Sequence, residues 1–421
     1  MSSSSTVAGP PRAPAPHLPP MWLLVAATAV GPFGLHILIP SMPGLVTGFA
    51  TDYGTVQLTL TLYLIGMGVA QLGLGPLSDR FGRRPVMIAG FAIYIGASTL
   101  CALSWSIEAL IAGRILQAVG VCAGQVLSRA IVRDVLDRDR GASTIAFITM
   151  AMAIAPALAP LIGAYIDLWL GWRSIFVGLV LIALTTGAAI VLLLNETNLQ
   201  KLPRLDFRGA FGHYRQLLRD RAFLGYSLST SVTMSTYFGF LAGTPLILVE
   251  QMGQPVQAYG IWYLLITLTY MFGNWLATRF TVRIGGDRMM AWGVWFSLLA
   301  VLAMIAAERL GPAHPIVLFG PMCFFVMGNG LSQPNGISAA VGARPQIAGA
   351  ASGLMGFTQM LVCATVTLLV GHIIQSSPLP MLLVMLATAT LAVLFFLMAR
   401  YRSSLSASDP PTPLQTKSMQ T

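Results

Sequence analysis

The most informative segment of this sequence reads Gly75-Pro76-Leu77-Ser78-Asp79-Arg80-Phe81-Gly82-Arg83-Arg84-Pro85. It joins two long apolar runs, which lie near residues 55–77 and 85–103. Gly82 permits a tight turn between two helices, and the three arginines hold that turn at one face of a membrane. Asp79 is placed to accept hydrogen bonds from a helix N-terminus or to pair with an arginine. The segment therefore predicts a short basic turn between two membrane-spanning helices.

The composition extends this prediction to the whole chain. Of its 421 residues, 56% are hydrophobic and only 9% are charged, whereas soluble domains carry about a quarter charged residues. So little charge cannot cover a soluble surface of this size, and lipid must cover most of it. The formal net charge of +10 is concentrated in short loops, which is typical of cytoplasmic membrane faces and argues against a nucleic-acid partner. We expect an all-α membrane protein.

Twelve apolar runs are long enough to cross a bilayer, which needs roughly 20 residues per helix. The first six predicted spans are 21–46, 55–77, 85–103, 107–130, 142–166 and 173–194. The second six are 223–247, 258–280, 289–307, 314–340, 347–372 and 380–400. The first run is too long for the core of a signal peptide, so we interpret it as a retained span.

Basic residues set the predicted orientation. With both termini in the cytoplasm, all but three of the 24 Lys and Arg residues lie on the cytoplasmic side, the exceptions being Arg114, Arg173 and Arg309. A weak repeat relates the turn after the second span to residues 279–288 after the eighth. The predicted organisation is a disordered cytoplasmic tail (1–20), a six-helix bundle (21–194), a cytoplasmic linker (195–222), a second six-helix bundle (223–400) and a cytoplasmic tail (401–421).

An arginine lies inside the fourth span, in the run Arg114-Ile115-Leu116-Gln117-Ala118-Val119-Gly120. A buried arginine costs roughly 2.5–3.5 kcal/mol on insertion scales, so it usually faces a cavity and has a function. Gln117 and Gln125 share its helical face. The alternative is a structural arginine that ties helices together.

The fifth span contains a run of small residues and prolines at 155–164. Pro156 and Pro160 bend the helix and free backbone carbonyls, and Gly163 allows a neighbouring helix to approach closely. The alternative is generic packing between helices.

These three motifs resemble those of one family. Residues 75–85 resemble the loop 2–3 signature of the major facilitator superfamily almost position by position. Residues 114–120 resemble the Arg-x-x-Gln-x-x-Gly motif of its proton-coupled members. Residues 155–164 are similar to the antiporter motif of drug exporters, in the Ala-Pro-rich form of the Bcr/CflA group, although the wider class has Gly-Pro where Ala159-Pro160 stands. The ends of spans 4 and 6, Val132–Val135 and Asn195–Thr197, fit the same group.

The resemblance covers the chain apart from residues 1–20 and about 403–421. It implies the major facilitator fold, with 12 transmembrane helices in two six-helix bundles around a central cavity that opens alternately to each side. The implied function is secondary active export of a drug or metabolite across the bacterial inner membrane by proton antiport. The resemblance also implies a cytoplasmic latch between the halves, formed by Gly75, Asp79, Arg80, Gly82, Arg83, Arg84 and Arg133.

The first span departs from the group pattern. The group usually places an aspartate before a Pro-x-x-Pro end, whereas this chain has His36 ahead of Pro40 and Pro43. By our assignment, no Asp or Glu lies deep in any span. Histidine can carry a proton, with an unperturbed pKa of about 6.5. The predicted proton-coupling or substrate residues are therefore His36, Arg114, Gln117 and Gln125. A neutral histidine bonded between helices is the alternative. A neutral-to-positive site predicts neutral or anionic substrates.

Polar and Met or aromatic residues inside the spans are candidates for the cavity lining, since they usually avoid lipid. They could instead serve only as hydrogen bonds between helices. The candidates are Met234, Phe238, Tyr263, Thr267, Tyr270, Asn274, Asn329, Gln333, Met355 and Gln359.

Other chemistries lack a motif. The four cysteines lie in apolar segments without a CxxC pair, so neither a metal site nor a disulfide is predicted. The absence of a Walker loop argues against a nucleotide site, and no cofactor or enzyme activity is expected. The predicted partners are a small-molecule substrate, protons and the lipid bilayer, with a monomer as the default. Alternatives are a dedicated exporter of a siderophore or other single metabolite, an importer, and a non-transporting membrane sensor.

Overall fold

The computed structural model describes residues 18–136, 140, 144–145, 147–148, 151–152, 154–199, 207–310, 314–374 and 377–408, with side chains described throughout except at 207–211, 310, 345 and 401–408. None of these residues forms a β-strand. The helices are α1 (Met21–His36), α2 (Tyr53–Phe81), α3 (Arg83–Ala102), α4 (Ile107–Val135), α5 (Ile154–Leu170), α6 (Arg173–Leu193), α7 (Phe207–Leu217), α8 (Arg221–Leu246), α9 (Val256–Ile284), α10 (Gly286–Leu310), α11 (Pro315–Gly342), α12 (Ala348–Ile373) and α13 (Leu379–Ser408).

The helices occur in the order predicted, six before the linker and six after it. Ten helices in the described part of the chain are long and apolar enough to cross a membrane. The other two are α5, whose described part has only 17 residues, and α9, a 29-residue helix that carries several tyrosines and an asparagine. Helix α7 lies within the predicted linker. The predicted tails lie mostly outside the described residues.

The first span is broken where the sequence predicted a continuous helix over residues 21–46. Helix α1 ends at His36, a short 3-10 turn covers Ile39–Ser41, and a second short helix, Met42–Gly48, continues to the end of the span. Pro40 and Pro43 lie in this second part and cannot donate backbone hydrogen bonds to the preceding turn. The break places the His36 side chain at the point where the helix is interrupted.

Small residues bring the helices of each bundle into close contact, as is usual in membranes. In the first bundle, a Cβ atom added to Gly120 of α4 would lie 2.6 Å from the carbonyl oxygen of Gly90 in α3. In the second bundle, a Cβ atom added to Gly328 of α11 would lie 2.6 Å from the carbonyl oxygen of Gly293 in α10. Equivalent helix pairs in the two halves thus both pack through close glycine–glycine contacts.

The two bundles meet along α2 and α12. Near the end where α8 finishes, Tyr53 and Gln57 of α2 both donate to the carbonyl oxygen of Ala242, at 2.7 and 2.6 Å. Towards the other end, which carries the basic turns at Gly82 and Arg344 and is called the basic end below, the side chain of Gln71 lies against Gly356 of α12. Inter-bundle contacts therefore lie on both sides of the centre, where the candidate residues are buried.

Candidate functional site

His36 lies at the break in the first span, and its side chain is buried. Its Nδ1 atom lies 2.8 Å from the carbonyl oxygen of Pro32. Because a carbonyl only accepts hydrogen bonds, Nδ1 carries a proton, and in the neutral ring Nε2 is then an acceptor with a lone pair. Nε2 is buried and lacks a hydrogen-bond partner among the described residues. This atom is therefore available to a proton or to a donor group of a ligand.

The His36 ring faces the second bundle. Its centroid lies 6.5 Å from that of Phe238 in α8 and 6.0 Å from that of Tyr263 in α9. Three residues that the sequence analysis proposed from separate spans thus meet at the interface between the bundles. A group bound at His36 would touch both halves of the molecule.

Arg114 lies beside the same stretch of α1 and is almost completely buried. Its Nη1 atom donates to the carbonyl oxygen of Gly34 at 2.9 Å and to Oε1 of Gln117 at 2.8 Å. Its guanidinium carbon lies 4.2 Å from the centroid of the Tyr63 ring, a cation–π contact. The Nε atom is buried without a partner in the described part of the chain. The Nε–H group of Arg114 is therefore a hydrogen-bond donor to spare.

The contacts of Arg114 are all neutral, so no described acidic side chain offsets its charge. Two acidic residues lie at helix ends, as expected if no Asp or Glu lies deep in a span: Asp52 caps the N-terminus of α2 by accepting from Thr55, and Glu108 lies in the first turn of α4. Burying an unpaired charge is costly unless hydrogen bonds or a ligand compensate for it. The centre of the molecule is thus electropositive.

Two buried tyrosines surround Arg114 from the first bundle. Tyr63 lies under the guanidinium and its hydroxyl donates to the carbonyl oxygen of Gly31 at 3.2 Å. Tyr94 packs against Gly34, and its hydroxyl is buried without a partner among the described residues. Gln117 extends the network by donating to the Ser98 hydroxyl at 2.7 Å. Tyr94 therefore offers an unused hydroxyl close to the residues that hold Arg114.

A matching group of tyrosines lies on the second bundle. The hydroxyls of Tyr237 and Tyr263 share a hydrogen bond. Tyr259 stacks on Tyr263 with ring centroids 5.7 Å apart, and its hydroxyl is buried without a described partner. The side of the site opposite Arg114 is thus aromatic, with a few hydroxyl groups that can orient a ligand.

A second polar group joins α11 to α8 closer to the basic end, since Met234 and Thr230 precede Tyr237 by about one and two turns of α8. Gln333 donates to the carbonyl oxygen of Thr230 at 2.9 Å and accepts from Gln359 at 3.2 Å. Asn329 points Nδ2 at the sulfur of Met234, 3.9 Å away, and its Oδ1 atom is buried without a described partner. These predicted residues join α8, α11 and α12, and their role in lining a cavity stays a prediction.

Other predicted residues are not part of either group. Thr267 and Asn274 donate to carbonyls one turn back in their own helix. Met355 packs in a separate apolar cluster with Phe223 and Phe396 near the basic end. Tyr270 lies on α9, as Tyr263 does, but its hydroxyl takes no part in the hydrogen bond between Tyr237 and Tyr263. Gln125 packs against Gly31. The structure places Gln125 beside α1, one turn from the break.

The basic turn that opened the sequence analysis is organised by Arg83. Gly82 has a φ angle of 106°, a conformation that favours glycine. The Arg83 guanidinium pairs with Asp79 at 2.6 Å and with Asp134 of α4 at 2.9 Å. The carboxylate of Glu196 accepts from the backbone N–H groups of Arg83 and Arg84, at 2.8 and 3.3 Å. These contacts join α2, α3, α4 and the segment after α6.

All the contacts just described lie within the first bundle, so a latch between the halves stays a prediction. Asp134 binds the Arg83 side chain and Glu196 binds the backbone of Arg83 and Arg84. The sequence analysis placed neither acidic residue in the latch. The signal was present, because both are acidic residues at span ends on the same face as the basic turn. Arg80 lies over the ring of Phe81 at 5.1 Å, and Arg133 is exposed next to Asp134. A Cβ atom on Gly75 would meet nothing within 4 Å.

The small-residue motif of α5 supports the break in the first span. Gly163 lies directly against the carbonyl group of Ile37, one residue after His36. Pro160 is buried inside α5 and Pro156 lies one turn earlier. On its other side α5 meets the second bundle, where a Cβ atom on Gly260 would lie 2.7 Å from Leu161. The motif thus connects His36 to both bundles.

Sequence reasoning missed the buried tyrosines Tyr63, Tyr94 and Tyr259 and the partly buried Tyr237. Tyr63, Tyr94 and Tyr237 lie inside apolar spans and Tyr259 lies in the first turn of α9, and each resembles an ordinary core aromatic. A tyrosine deep in a membrane helix nevertheless needs a hydrogen-bond partner for its hydroxyl. That requirement could have marked all four as candidates for a polar site.

Comparison with known proteins gives a consistent answer. Residues 24–367 match the sequence model of the Major Facilitator Superfamily. A bicyclomycin resistance protein homolog of Haemophilus influenzae is 29% identical over 375 residues, which cover 88% of this chain and 93% of that protein. Multidrug resistance protein D of Escherichia coli is 29% identical over 337 residues, covering 80% and 84%.

The fold is also found among solved structures. A crystal structure of a D-xylose–proton symporter superimposes on this chain with a TM-score of 0.67 at 15% sequence identity. The superposition covers 89% of this chain and 96% of that one. At this identity the likeness concerns the architecture of two six-helix bundles.

Proposed function

This chain belongs to the major facilitator superfamily, and we propose on that premise that it exports a small organic molecule across the bacterial inner membrane in exchange for protons. The proposed orientation has both termini in the cytoplasm, so the basic end faces inward. The names of the two relatives, which refer to bicyclomycin and multidrug resistance, support a drug as the exported molecule.

The observation that carries the proposal is the Nε2 atom of His36, which has no hydrogen-bond partner among the described residues. Its lone pair can accept a proton or a hydrogen bond from a substrate, but not both at once. Antiport needs this exclusion, because the site must release its substrate when it takes up a proton. His36 also faces Phe238 and Tyr263 of the other bundle, so occupancy of Nε2 would bear on how the bundles fit together.

Alternating access then follows from the packing of the two bundles. The contacts of Tyr53 and Gln57 with Ala242 close the end opposite the basic turns. The contact between Gln71 and Gly356 holds the halves together towards the basic end. Opening to either side requires only one of these two sets of contacts to part while the other stays closed.

Arg114 sets the charge of the proposed substrate. Its Nε–H group and the hydroxyl of Tyr94 have no partner in the described part of the chain. Both can donate hydrogen bonds, so they fit an acceptor group such as a carbonyl or carboxylate. A cation would meet an uncompensated guanidinium in a poorly solvated site, where like-charge repulsion is strong. Neutral or anionic substrates are therefore proposed, and permanently charged cations are not.

A second candidate function is dedicated export of one acidic metabolite, such as a carboxylate or hydroxamate siderophore. The uncompensated charge of Arg114 favours it, because a single matched anion would neutralise the site. The two candidates differ in breadth. A drug exporter moves several unrelated compounds, whereas a dedicated exporter moves one.

The test is transport by the purified protein in liposomes under an imposed pH gradient. The substrates are a matched set of neutral, anionic and cationic compounds of similar size. We expect the gradient to drive neutral or anionic compounds, and a protonophore to abolish this flux. Flux of ethidium-like cations as fast as that of neutral compounds would contradict the proposed site, and the absence of gradient-driven flux for every compound would contradict antiport.

A matched arginine provides the control. Arg173 also donates to a carbonyl, that of Ser104 at 3.0 Å, and lies 4.3 Å from the Trp172 ring centroid. It lies at the N-terminus of α6, away from His36. We expect Arg114→Gln to change the preference for substrate charge and Arg173→Gln to leave that preference unaltered.

A further inference from the structure

A positively charged pocket lies on the surface at the basic end, away from the transport site. It has a volume of about 290 Å³ and is lined by Gly212 and Arg215 of α7, by Gln216 and Arg219 beside them, and by Arg344 from the turn between α11 and α12. Three arginines from two separate parts of the chain thus converge on one cavity. Neither the transport mechanism nor the sequence motifs use these residues.

The charges of the three arginines are not equally compensated. Arg344 pairs with Asp220 at 2.6 Å, and Asp220 also accepts from the N–H groups of Ala222 and Phe223 at the start of α8. Arg215 and Arg219 are exposed and have no acidic partner among the described residues. Three arginine charges against one aspartate leave the pocket positive, so its complement is an anion.

The helix that forms one side of the pocket is held in place by apolar contacts with the second bundle. Leu217, the last residue of α7, is fully buried in the apolar cluster that includes Phe223, Leu354 and Phe396. Tyr214 packs on the same cluster, with its hydroxyl close to Gly353 of α12. Helix α7 is thereby anchored to the second bundle, with Arg215 exposed on the helix and Arg219 exposed in the turn that follows it.

The pocket lies at the level of the bilayer surface, which indicates a lipid as the source of the anion. Helix α8 starts at Arg221, α11 ends at Gly342 and α12 starts at Ala348, so the pocket lies where membrane helices reach the bilayer surface. Leu218, between the two free arginines, is an exposed apolar residue. Ile337 is exposed on α11, within the last two turns of that helix before the turn that carries Arg344. The pocket thus opens beside the lipid-facing surface.

From this placement, we propose that the pocket binds the phosphate headgroup of an anionic phospholipid, with the acyl chains running along the surface of Ile337. The phosphate oxygens accept hydrogen bonds from Arg215 and Arg219, and Arg344 supplies a third donor group from the second bundle. The bound lipid bridges the linker helix and the α11–α12 turn. It thereby stabilises the attachment of α7 to the second bundle.

The test compares the protein in nanodiscs of phosphatidylglycerol and of phosphatidylcholine, with bound lipid counted by native mass spectrometry after release. The variant is Arg215→Gln with Arg219→Gln. Its matched control is Arg283→Gln with Arg288→Gln, which removes two exposed arginines at the same end of the molecule but outside the pocket. A basic residue near an anionic surface contributes about fivefold to binding, so the pocket variant should bind phosphatidylglycerol about 30-fold more weakly. The control should keep wild-type binding.

Three results would overturn the proposal. The first is an equal loss of lipid in the control, which would reduce the effect to general surface charge. The second is displacement of the lipid by glycerol 3-phosphate or inorganic phosphate at equal concentration, which would identify a site for a soluble anion. The third is unchanged lipid binding in the pocket variant. None of these results depends on transport, so the proposal is tested apart from the proposed function.

Discussion

Replacement of Asp134 by asparagine should destabilise the protein more than the same change at Asp79, although both aspartates pair with Arg83. The side chain of Asp134 is 23% exposed and that of Asp79 is 40% exposed. Asp134 connects α4 to α3 across 51 residues of sequence, whereas Asp79 lies in the last turn of α2, only four residues before Arg83. The sequence motif at residues 75–85 contains Asp79 but not Asp134. A larger effect at Asp134 would therefore follow from the structure and not from the motif.

The magnitudes follow from the contacts. Asp134→Asn removes the ion pair with Arg83 at 2.9 Å and weakens the bond from the Thr197 hydroxyl at 3.3 Å. Breaking a fully buried pair costs about 3–5 kcal/mol, but partial exposure and the remaining Asp79 reduce this to about 2 kcal/mol, the range of a hydrogen bond to a charged group. Asp79→Asn removes a solvent-screened i,i+4 pair, for which about 0.5 kcal/mol is expected.

The assay is chemical unfolding of the purified protein in detergent micelles, followed by tryptophan fluorescence. Each aspartate variant is combined with Arg83→Gln in a double-mutant cycle, which isolates the pairwise free energy from other effects of the substitutions. The coupling free energy of Arg83 with Asp134 should exceed that with Asp79 by about fourfold, the ratio of the two estimates above. A coupling to Asp79 that equals or exceeds the coupling to Asp134 would refute the reasoning.

Three further predictions concern packing and pH. Gly356→Leu should push α12 away from Gln71 and widen the basic end, measured as a longer distance between spin labels on the two bundles; an unchanged distance would show that this contact does not hold the halves together. Gly163→Val should lower the yield of folded protein because it meets the carbonyl of Ile37, whereas Gly178→Val, with nothing within 4 Å of its Cβ position, should not; equal yields in size-exclusion chromatography would contradict the packing. Burial raises the pKa of Asp220, but Arg344 and two N–H groups outweigh it and hold that pKa below its ordinary value. The ionised Asp220 therefore stabilises the folded protein above the unfolded pKa of about 3.9. This stabilisation is lost as the pH falls through the lower folded pKa. The difference in unfolding free energy between the wild type and Asp220→Asn should therefore shrink with acidification below about pH 4, and a constant difference would contradict the assignment.

The helices themselves could be predicted from the sequence, because the composition of a membrane span leaves little choice. Each apolar run must satisfy its backbone hydrogen bonds within the bilayer, and a helix does so locally. The break after His36 could not be predicted, because membrane helices often contain prolines without breaking. Whether Pro40 and Pro43 bend or interrupt a span depends on neighbours such as Gly163 of α5.

The candidate site could be predicted only in part, for a similar reason. His36, Arg114 and Gln117 stood out because titratable or charged residues are rare inside spans. Tyr63 and Tyr94 did not, because a tyrosine inside a span is common and only its neighbours show whether its hydroxyl is satisfied. Thr267 and Asn274 were predicted to line the cavity because their spacing along α9 suggested a polar face. In the structure each side chain donates to a backbone carbonyl of its own helix. Local bonding of this kind leaves no trace in sequence spacing.

The central claim is that His36 couples substrate transport to protons through its Nε2 atom. Its most direct test is a comparison of two kinds of flux in liposomes for the wild type and His36→Gln, since glutamine can still accept a hydrogen bond but does not titrate. We predict that His36→Gln keeps exchange of labelled for unlabelled substrate without a gradient but loses accumulation driven by a pH gradient. Gradient-driven accumulation at the wild-type rate in His36→Gln would contradict the claim.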